Sequence, residues 1–294
     1  MAKPKILVTG ANGQLGKELK ELCPTHPQFE FIFFSKEDLP IQHFELIRNS
    51  FEAYHPQYCI NCAAYTNVDR AESEKEFAFL VNGEAAGALA AVCKDYNTRF
   101  IHVSTDYVFD GTAGIPYKES SPTNPINMYG ESKLAGERAA LGANANSIII
   151  RTSWVYSEFG KNFVKTMLKL MSERTEINVV EDQIGSPTYA ADLAACIVQM
   201  IRSNFTSDEN IFHFCNEGVI SWYDFALAIK ELSGFSCKIN PITTDQYPTP
   251  AKRPHYSVLD TTRLQETFGI KLKNWKESLF TCLKKINLNT QQEN

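Results

Sequence analysis

The segment Tyr129-Gly-Glu-Ser-Lys133 puts a phenol and an ammonium four residues apart. On a helix, residues at that spacing share a face and converge on one point. A free tyrosine titrates near about 10 and is a poor acid–base group at neutral pH. A neighbouring lysine charge favours the phenolate and brings the group closer to working range. Upstream, Val103-Ser104-Thr105-Asp106-Tyr107 closes an apolar run with hydroxyls. Hydroxyls there can donate to an oxygen on which negative charge develops. A hydroxyl, a phenol and an ammonium at these places form a ketone-reducing set, with Tyr129, Lys133 and Thr105 as catalytic candidates. The spacing alone also describes an exposed helix pair, so the elements around it decide its meaning.

The first of those elements is a glycine loop. Lys5 to Thr9 reads as a strand and runs into Thr9-Gly10-Ala-Asn-Gly13-Gln-Leu-Gly16, inside which a helix begins. Glycines let the backbone turn tightly and approach a pyrophosphate, whose charge then rests on the helix N-terminus. Gly10, Asn12, Gly13, Gln14, Leu15 and Gly16 are therefore candidate cofactor contacts. NAD sites place an acid at the end of the second strand, about 20 residues on, to hold the ribose hydroxyls. Here that strand ends Phe33-Phe34-Ser35-Lys36. A hydroxyl and a cation suit the 2′-phosphate of NADPH, while Glu37 and Asp38 close behind leave NADH as the alternative. The expected cofactor contacts also include Ser35, Lys36, Asp38 and Leu39 here, with Tyr129 and Lys133 near the nicotinamide.

Positioning these residues requires a sheet. The first half alternates short apolar runs with helical stretches, the pattern of a parallel sheet wrapped by helices. Strands are expected at 5–9, 29–34, 58–62, 99–104 and 147–151, and helices at 14–22, 44–54, 75–96 and 128–141. The Gly-, Pro-, Ser- and Asn-rich stretch 109–128 reads as an irregular loop. Beyond Arg151 the alternation weakens; helices are expected at 162–172, 189–201 and 222–232. The proline-rich segment 241–254 reads as extended over a surface, and the polar tail after Leu288 as frayed. The expected fold is α/β: a Rossmann-like doubly wound parallel sheet with a smaller mixed α/β lobe. Residues 1–152 would bind the dinucleotide, with the helix near 189–202 packing back on them, and 153–294 would mainly bind substrate.

Composition narrows the partners. With 44% apolar and 21% charged residues the chain is ordinary globular protein, and a net charge of -5 argues against nucleic acid or an anionic membrane. No apolar run looks long enough to cross a bilayer, and Ile6-Leu7-Val8 is too short for a signal peptide, which points to a cytoplasmic protein. The eight cysteines are scattered, suiting reduced buried thiols. Cys59-Ile-Asn-Cys62 has metal-like spacing but falls in an expected strand, where such positions face opposite sides, so no metal is expected.

Taken together, the motifs resemble the dTDP-4-dehydrorhamnose reductase family of extended short-chain dehydrogenases/reductases. The matching segments are the glycine loop from Val8, Asn61-Cys-Ala-Ala-Tyr-Thr-Asn-Val-Asp69, Ser104-Thr-Asp-Tyr-Val-Phe-Asp-Gly111 and Tyr129 to Lys133. They continue with Arg151-Thr-Ser-Trp-Val-Tyr156, Asn162-Phe163, Asp182-Gln-Ile-Gly-Ser-Pro-Thr188 and Pro250-Ala-Lys-Arg-Pro254. The resemblance implies NADPH-dependent reduction of the C4 ketone of dTDP-4-dehydro-L-rhamnose, by a monomer or homodimer. On that basis Ala63, Ala64 and Tyr65, within the segment from Asn61, join the expected cofactor contacts. Tyr129 would protonate the oxyanion, Lys133 assist, and Thr105 and Asp106 contact the substrate. Trp154 would lie beside the sugar, and Asn162 and Arg253 would contact its diphosphate. Related 4,6-dehydratases carry an Asp-Glu pair after the strand-four threonine, and 4-epimerases a Ser-Ser-Ala type strand end; neither occurs here. A non-catalytic NADP-binding regulatory subunit, like that of methionine adenosyltransferase, shares the fold, as do enzymes acting on another nucleotide sugar. Some members have magnesium at an oligomer contact, but Thr188-Tyr-Ala-Ala-Asp192 offers only a single acid.

Overall fold

Each short apolar run of the first half forms a strand, and each stretch with helical spacing returns over the sheet. In order these are β1 (Lys5–Thr9), α1 (Gln14–Leu22), β2 (Glu30–Phe34), α2 (Phe44–Tyr54) and β3 (Tyr58–Asn61). Then come α3 (Val68–Ala71), α4 (Lys75–Phe79), α5 (Ala85–Asp95), β4 (Arg99–Thr105), α6 (Met128–Ala143) and β5 (Ile148–Thr152). The second half supplies β6 (Val155–Tyr156), α7 (Phe163–Glu173), β7 (Glu176–Val180), β8 (Ile184–Gly185), β9 (Thr188–Tyr189) and α8 (Ala190–Arg202). It ends with β10 (Ile211–Phe214), β11 (Ile220–Ser221), α9 (Trp222–Ser233), β12 (Lys238–Ile242), α10 (Thr262–Phe268) and α11 (Trp275–Gln292). The computed structural model describes residues 2–203 and 209–292.

Six strands pair in parallel in the order β10-β5-β4-β3-β1-β2. On one face Leu15 and Leu19 of α1 and Leu193 and Ile197 of α8 pack on Ile6, Val8 and Ile60. On the other, Ile47 and Phe51 of α2, Leu89 of α5 and Ala140 of α6 pack on Leu7, Cys59 and Ile149. Because both faces are covered, β1 and β5 read as unbroken apolar runs rather than as alternating ones. This is the expected doubly wound α/β architecture. Strand order reverses between β1 and β3, so their carboxyl ends open the crevice in which such sheets hold ligands. A second core, including Tyr156, Val164, Met167, Phe225 and Leu279, sits beside the sheet and gathers α7, α9 and α11.

Several elements depart from expectation. The helix at 75–96 is interrupted by a π-turn, Leu80–Glu84, which turns Asn82 into the protein, where it is 1% exposed. This same stretch, 75–95, is long and apolar enough to cross a bilayer, contrary to the reading of the runs. Its apolar residues Ala86, Leu89, Ala90 and Val92 are fully buried in the protein. Strand β10 had no counterpart in the sequence reading, yet it forms the sheet's edge, and Leu264 and Phe268 of α10 join the same core. The proline-rich segment begins within β12 and carries a short 3-10 turn at Thr244–Gln246. Helix α11 runs on to Gln292, past the expected fraying point. The eight cysteines are free thiols, six of them buried.

Candidate active site

At the end of β1 the chain turns through Gly10 with φ +67°, a conformation that favours glycine. A Cβ there would lie 2.6 Å from the Ala63 nitrogen, so the ends of β1 and β3 meet at backbone distance. Gly16 supports the loop from below: a Cβ would stand 2.5 Å from the Gly10 oxygen and 2.7 Å from the Ala11 Cα. Both are backbone atoms, which cannot swing away. Gly16→Ala is therefore expected to destabilise the fold by about 1–3 kcal/mol, read as a lower urea midpoint. An unchanged midpoint would mean that the loop yields freely.

Gly10, Asn12, Gly13, Gln14 and Leu15 line a cleft of about 790 Å³ at this crevice. Ala63, Ala64 and Tyr65 form its opposite lip. Asn82 holds that lip: its Oδ1 accepts from the Tyr65 N–H at 2.8 Å and its Nδ2 donates to the Tyr65 carbonyl at 3.0 Å. The sequence reading passed over Asn82, although an amide inside an alanine-rich apolar helix was a signal. Beyond β2, Lys36, Glu37 and Leu39 line the cleft. Lys36 Nζ lies 5.7 Å from the centre of the Phe77 ring, which lines it too. Ser35 and Asp38 are spent on each other: the Ser35 N–H donates to Asp38 Oδ2 at 3.0 Å, and the Asp38 N–H to Ser35 Oγ at 3.2 Å. The hydrogen bonding from Ser35 holds the Asp38 carboxyl below its usual range.

The other end of the cleft carries Thr105, Asp106, Tyr107, Tyr129, Lys133 and Trp154. Asn127 caps α6, its Oδ1 accepting from the Gly130 N–H at 2.8 Å, and so sets the first turn that presents Tyr129. The Tyr129 ring meets Tyr107 edge-on, with centroids 5.5 Å apart. Its phenol, expected to be drawn down by the lysine charge, is instead pushed up to about 12 by burial, against a hydrogen bond with Thr105. Lys133 turns to the sheet, where Nζ donates to the Val103 carbonyl at 2.6 Å. Burial pushes Lys133 down to about 8, opposed by the charge of Glu137. Thr105 Oγ donates to Asp106 Oδ1 at 3.0 Å, and burial pushes the Asp106 carboxyl up to about 6. A protonated phenol beside a threonine hydroxyl can deliver a proton to an oxygen placed between them.

Trp154 adopts φ +47°, a left-handed backbone that costs a non-glycine residue of order 1–3 kcal/mol. Stacking offsets that cost. The Trp222 ring lies 3.6 Å away at 11°, and a Cβ on Gly185 would stand 2.6 Å from Trp154 Cε2.

Two expected substrate contacts are engaged elsewhere. Asn162 caps α7 through the Lys165 N–H, and its Nδ2 donates to Gln14 Oε1 at 2.8 Å and to the Ser157 carbonyl at 2.7 Å. Arg253 forms a two-pronged ion pair with Asp69, at 2.7 and 2.8 Å. Neither lines the cleft, whereas Lys161, which the sequence reading did not single out, does. Among the described residues no three His, Cys, Asp or Glu side chains gather as a metal site.

A family model described as the RmlD substrate binding domain matches residues 4–288. The dTDP-4-dehydrorhamnose reductase of Aggregatibacter actinomycetemcomitans is 41% identical over 285 residues, covering 94% of this chain and 97% of that protein. Among solved structures, a dTDP-4-dehydrorhamnose reductase of Clostridium acetobutylicum superposes with a TM-score of 0.91 at 40% identity, over 96% of this chain and 99% of that one. The Bacillus anthracis enzyme of the same name, in complex with NADP, gives a TM-score of 0.92 at 37% identity, over 97% and 100%. With nearly the whole of both partners aligned, the chain belongs to the RmlD substrate-binding family, that of the dTDP-4-dehydrorhamnose reductases.

Proposed function

We propose that the protein reduces the C4 ketone of dTDP-4-dehydro-L-rhamnose to dTDP-L-rhamnose with NADPH as reductant. The observation that carries this reading is the presence of Thr105, Tyr129 and Lys133 in the same cleft as the glycine loop. The nicotinamide, when bound, supplies the hydride for C4. Gly10, Asn12, Gly13, Gln14 and Leu15 offer it a pyrophosphate seat, because the loop presents backbone beside the N-terminus of α1. With substrate in place the Thr105 hydroxyl hydrogen turns from Asp106 Oδ1 to the ketone oxygen, and Tyr129 gives that oxygen its proton. Lys133, as a cation, offsets negative charge on the phenol once the proton has left. Trp154 gives the sugar a flat apolar wall, and Asp106 an acceptor for a hydroxyl. On this reading residues 1–152, with α8 and β10, hold the dinucleotide, and most of the remainder forms the nucleotide-sugar side.

The relatives' reductase names and the NADP complex of the Bacillus anthracis enzyme support the substrate class and the cofactor. The test is loss of nicotinamide absorbance with purified protein, NADPH and freshly generated dTDP-4-dehydro-L-rhamnose. Rapid oxidation is expected. NADPH binding without oxidation would redirect the search to another keto sugar, or to a binding-subunit role.

Lys36 supports the coenzyme choice, being a cation on the wall of the cleft just beyond β2. Loss of a charge-assisted hydrogen bond to a phosphate is worth about 1.5–3 kcal/mol. Lys36→Ala is thus expected to weaken NADPH at least about tenfold and to leave NADH nearly unchanged. Equal loss for both coenzymes would remove Lys36 from the 2′-phosphate.

A further inference from the structure

Behind Lys133 runs a chain of buried polar groups that the proposed reaction does not yet use. Thr9, Asn61, His102 and Lys133 come from β1, β3, β4 and α6, and each is at most 2% exposed. Thr9 Oγ donates to Asn61 Oδ1 at 2.7 Å, and the Ala63 N–H donates to the same oxygen at 3.2 Å. The Ala63 N–H fixes the orientation of the Asn61 amide, because the amide nitrogen could not accept from it, and the Thr9 hydroxyl then donates to the same oxygen. Asn61 Nδ2 therefore points at His102 Nδ1, 3.0 Å away, and donates to it. A ring nitrogen that accepts carries no proton. With His102 held neutral by burial, its proton sits on Nε2, and Nε2 lies 3.5 Å from Lys133 Nζ.

An N–H aimed at an amine has one welcome partner, the amine's lone pair. It opposes the ammonium, whose own hydrogens then turn elsewhere, as the 2.6 Å bond to the Val103 carbonyl records. We propose that His102 is a positioning residue for Lys133: the Thr9–Asn61 pair holds it as the Nε2-protonated tautomer, whose N–H steers the amine and favours its neutral form. The inference rests on the proposed role of Lys133 in the reduction. The other ionisable groups acting on Lys133 are Glu137, one turn along α6, and Cys62, just past β3. Glu137 and Cys62 favour the cation, and burial, which outweighs them, pushes the group down to about 8; the His102 N–H, 3.5 Å away, adds to the side of burial. The arrangement lets Lys133 change charge within the working pH range, while a lysine in water would stay charged.

The test begins with the wild-type protein without substrate. Nitrogen-15 spectra of the imidazoles, assigned with His102→Gln, read the tautomer directly, and an Nε2-protonated ring is expected. An Nδ1-protonated ring overturns the proposal, whether or not any variant folds. A pH titration of lysine ε-carbon signals, assigned with Lys133→Met, then reads the Lys133 midpoint. In His102→Gln the amide can present its oxygen to the ammonium, and the midpoint is expected to rise by roughly one pH unit. The alkaline limb of kcat should rise with it, while NADPH affinity holds. A Lys133 midpoint that stays put in His102→Gln overturns the proposal. A midpoint that moves without the kcat limb sustains the His102 assignment and counts against Lys133 in the proposed reaction.

Discussion

Tyr129→Phe is expected to lower turnover by about 10²–10⁴-fold, the usual contribution of a positioned acid, or ~3–5 kcal/mol at the transition state. The substitution removes one oxygen and keeps the ring, so the edge-on contact with Tyr107 and the first turn of α6 remain. Affinity for NADPH, read by fluorescence titration, should stay within about twofold, since phosphate contacts dominate such binding. The direction of the phenol's shift matters here. Burial pushes it up to about 12, so it holds its proton throughout neutral pH, the state that the proposed reduction requires of a donor. If Tyr129→Phe kept normal turnover, the next acid in the cleft is Asp106, pushed up to about 6 by burial. An acid of that kind is protonated only below about pH 6, so activity would fall as the pH rose through that value. A full-activity variant with that profile would transfer the role from Tyr129 to Asp106.

The parts of the site that local rules govern were legible in the sequence. Glycines between a strand and a helix, within a repeating βα pattern, point to a tight turn at the head of the first helix, and four-residue spacing on a helix puts Tyr129 and Lys133 on one face. Hydroxyls at the end of β4 fall at the sheet's carboxyl edge once the strand is recognised. What the sequence concealed depends on contacts between distant segments. Strand β10 has only four residues, and its pairing with β5 joins segments some sixty positions apart, which no local pattern announces. Arg253 meets Asp69 across 184 positions, so its engagement could not be inferred from a basic residue in a loop. Asn162 is a different case. It stands immediately before a helix and caps it, a role its type and place favour. A capping rule applied there would have named that structural role beside the expected contact with the nucleotide.

Glu137→Ala is expected to cost about 3–5 kcal/mol of stability, the penalty for stranding one partner of a buried ion pair. Glu137 and Arg151 have side chains only 2% exposed, joined at 2.9 and 2.7 Å, and Ser104 Oγ donates to the same carboxylate at 2.5 Å. Arg151 Nη1 already lacks a hydrogen-bond partner, so losing the carboxylate leaves a whole guanidinium without its counter-charge in the core. Urea denaturation followed by tryptophan fluorescence measures the loss. Replacing both residues, as Glu137→Met with Arg151→Leu, should recover most of it, because two apolar groups leave no stranded charge. If the double variant were no more stable than the single one, the shape of the site, and not its charge, would be what the pair maintains. The same change reaches the chemistry. Tyr129, Lys133 and Glu137 follow one another at four-residue intervals on α6, and the Glu137 charge favours the Lys133 cation. Without it the lysine should lose its proton below about pH 8. The alkaline fall in kcat should then move to lower pH in every variant lacking Glu137, including the restabilised double one. A shift that survives the recovery of stability would assign the effect to charge, and make this ion pair part of what tunes the lysine as well as what holds the helix to the sheet.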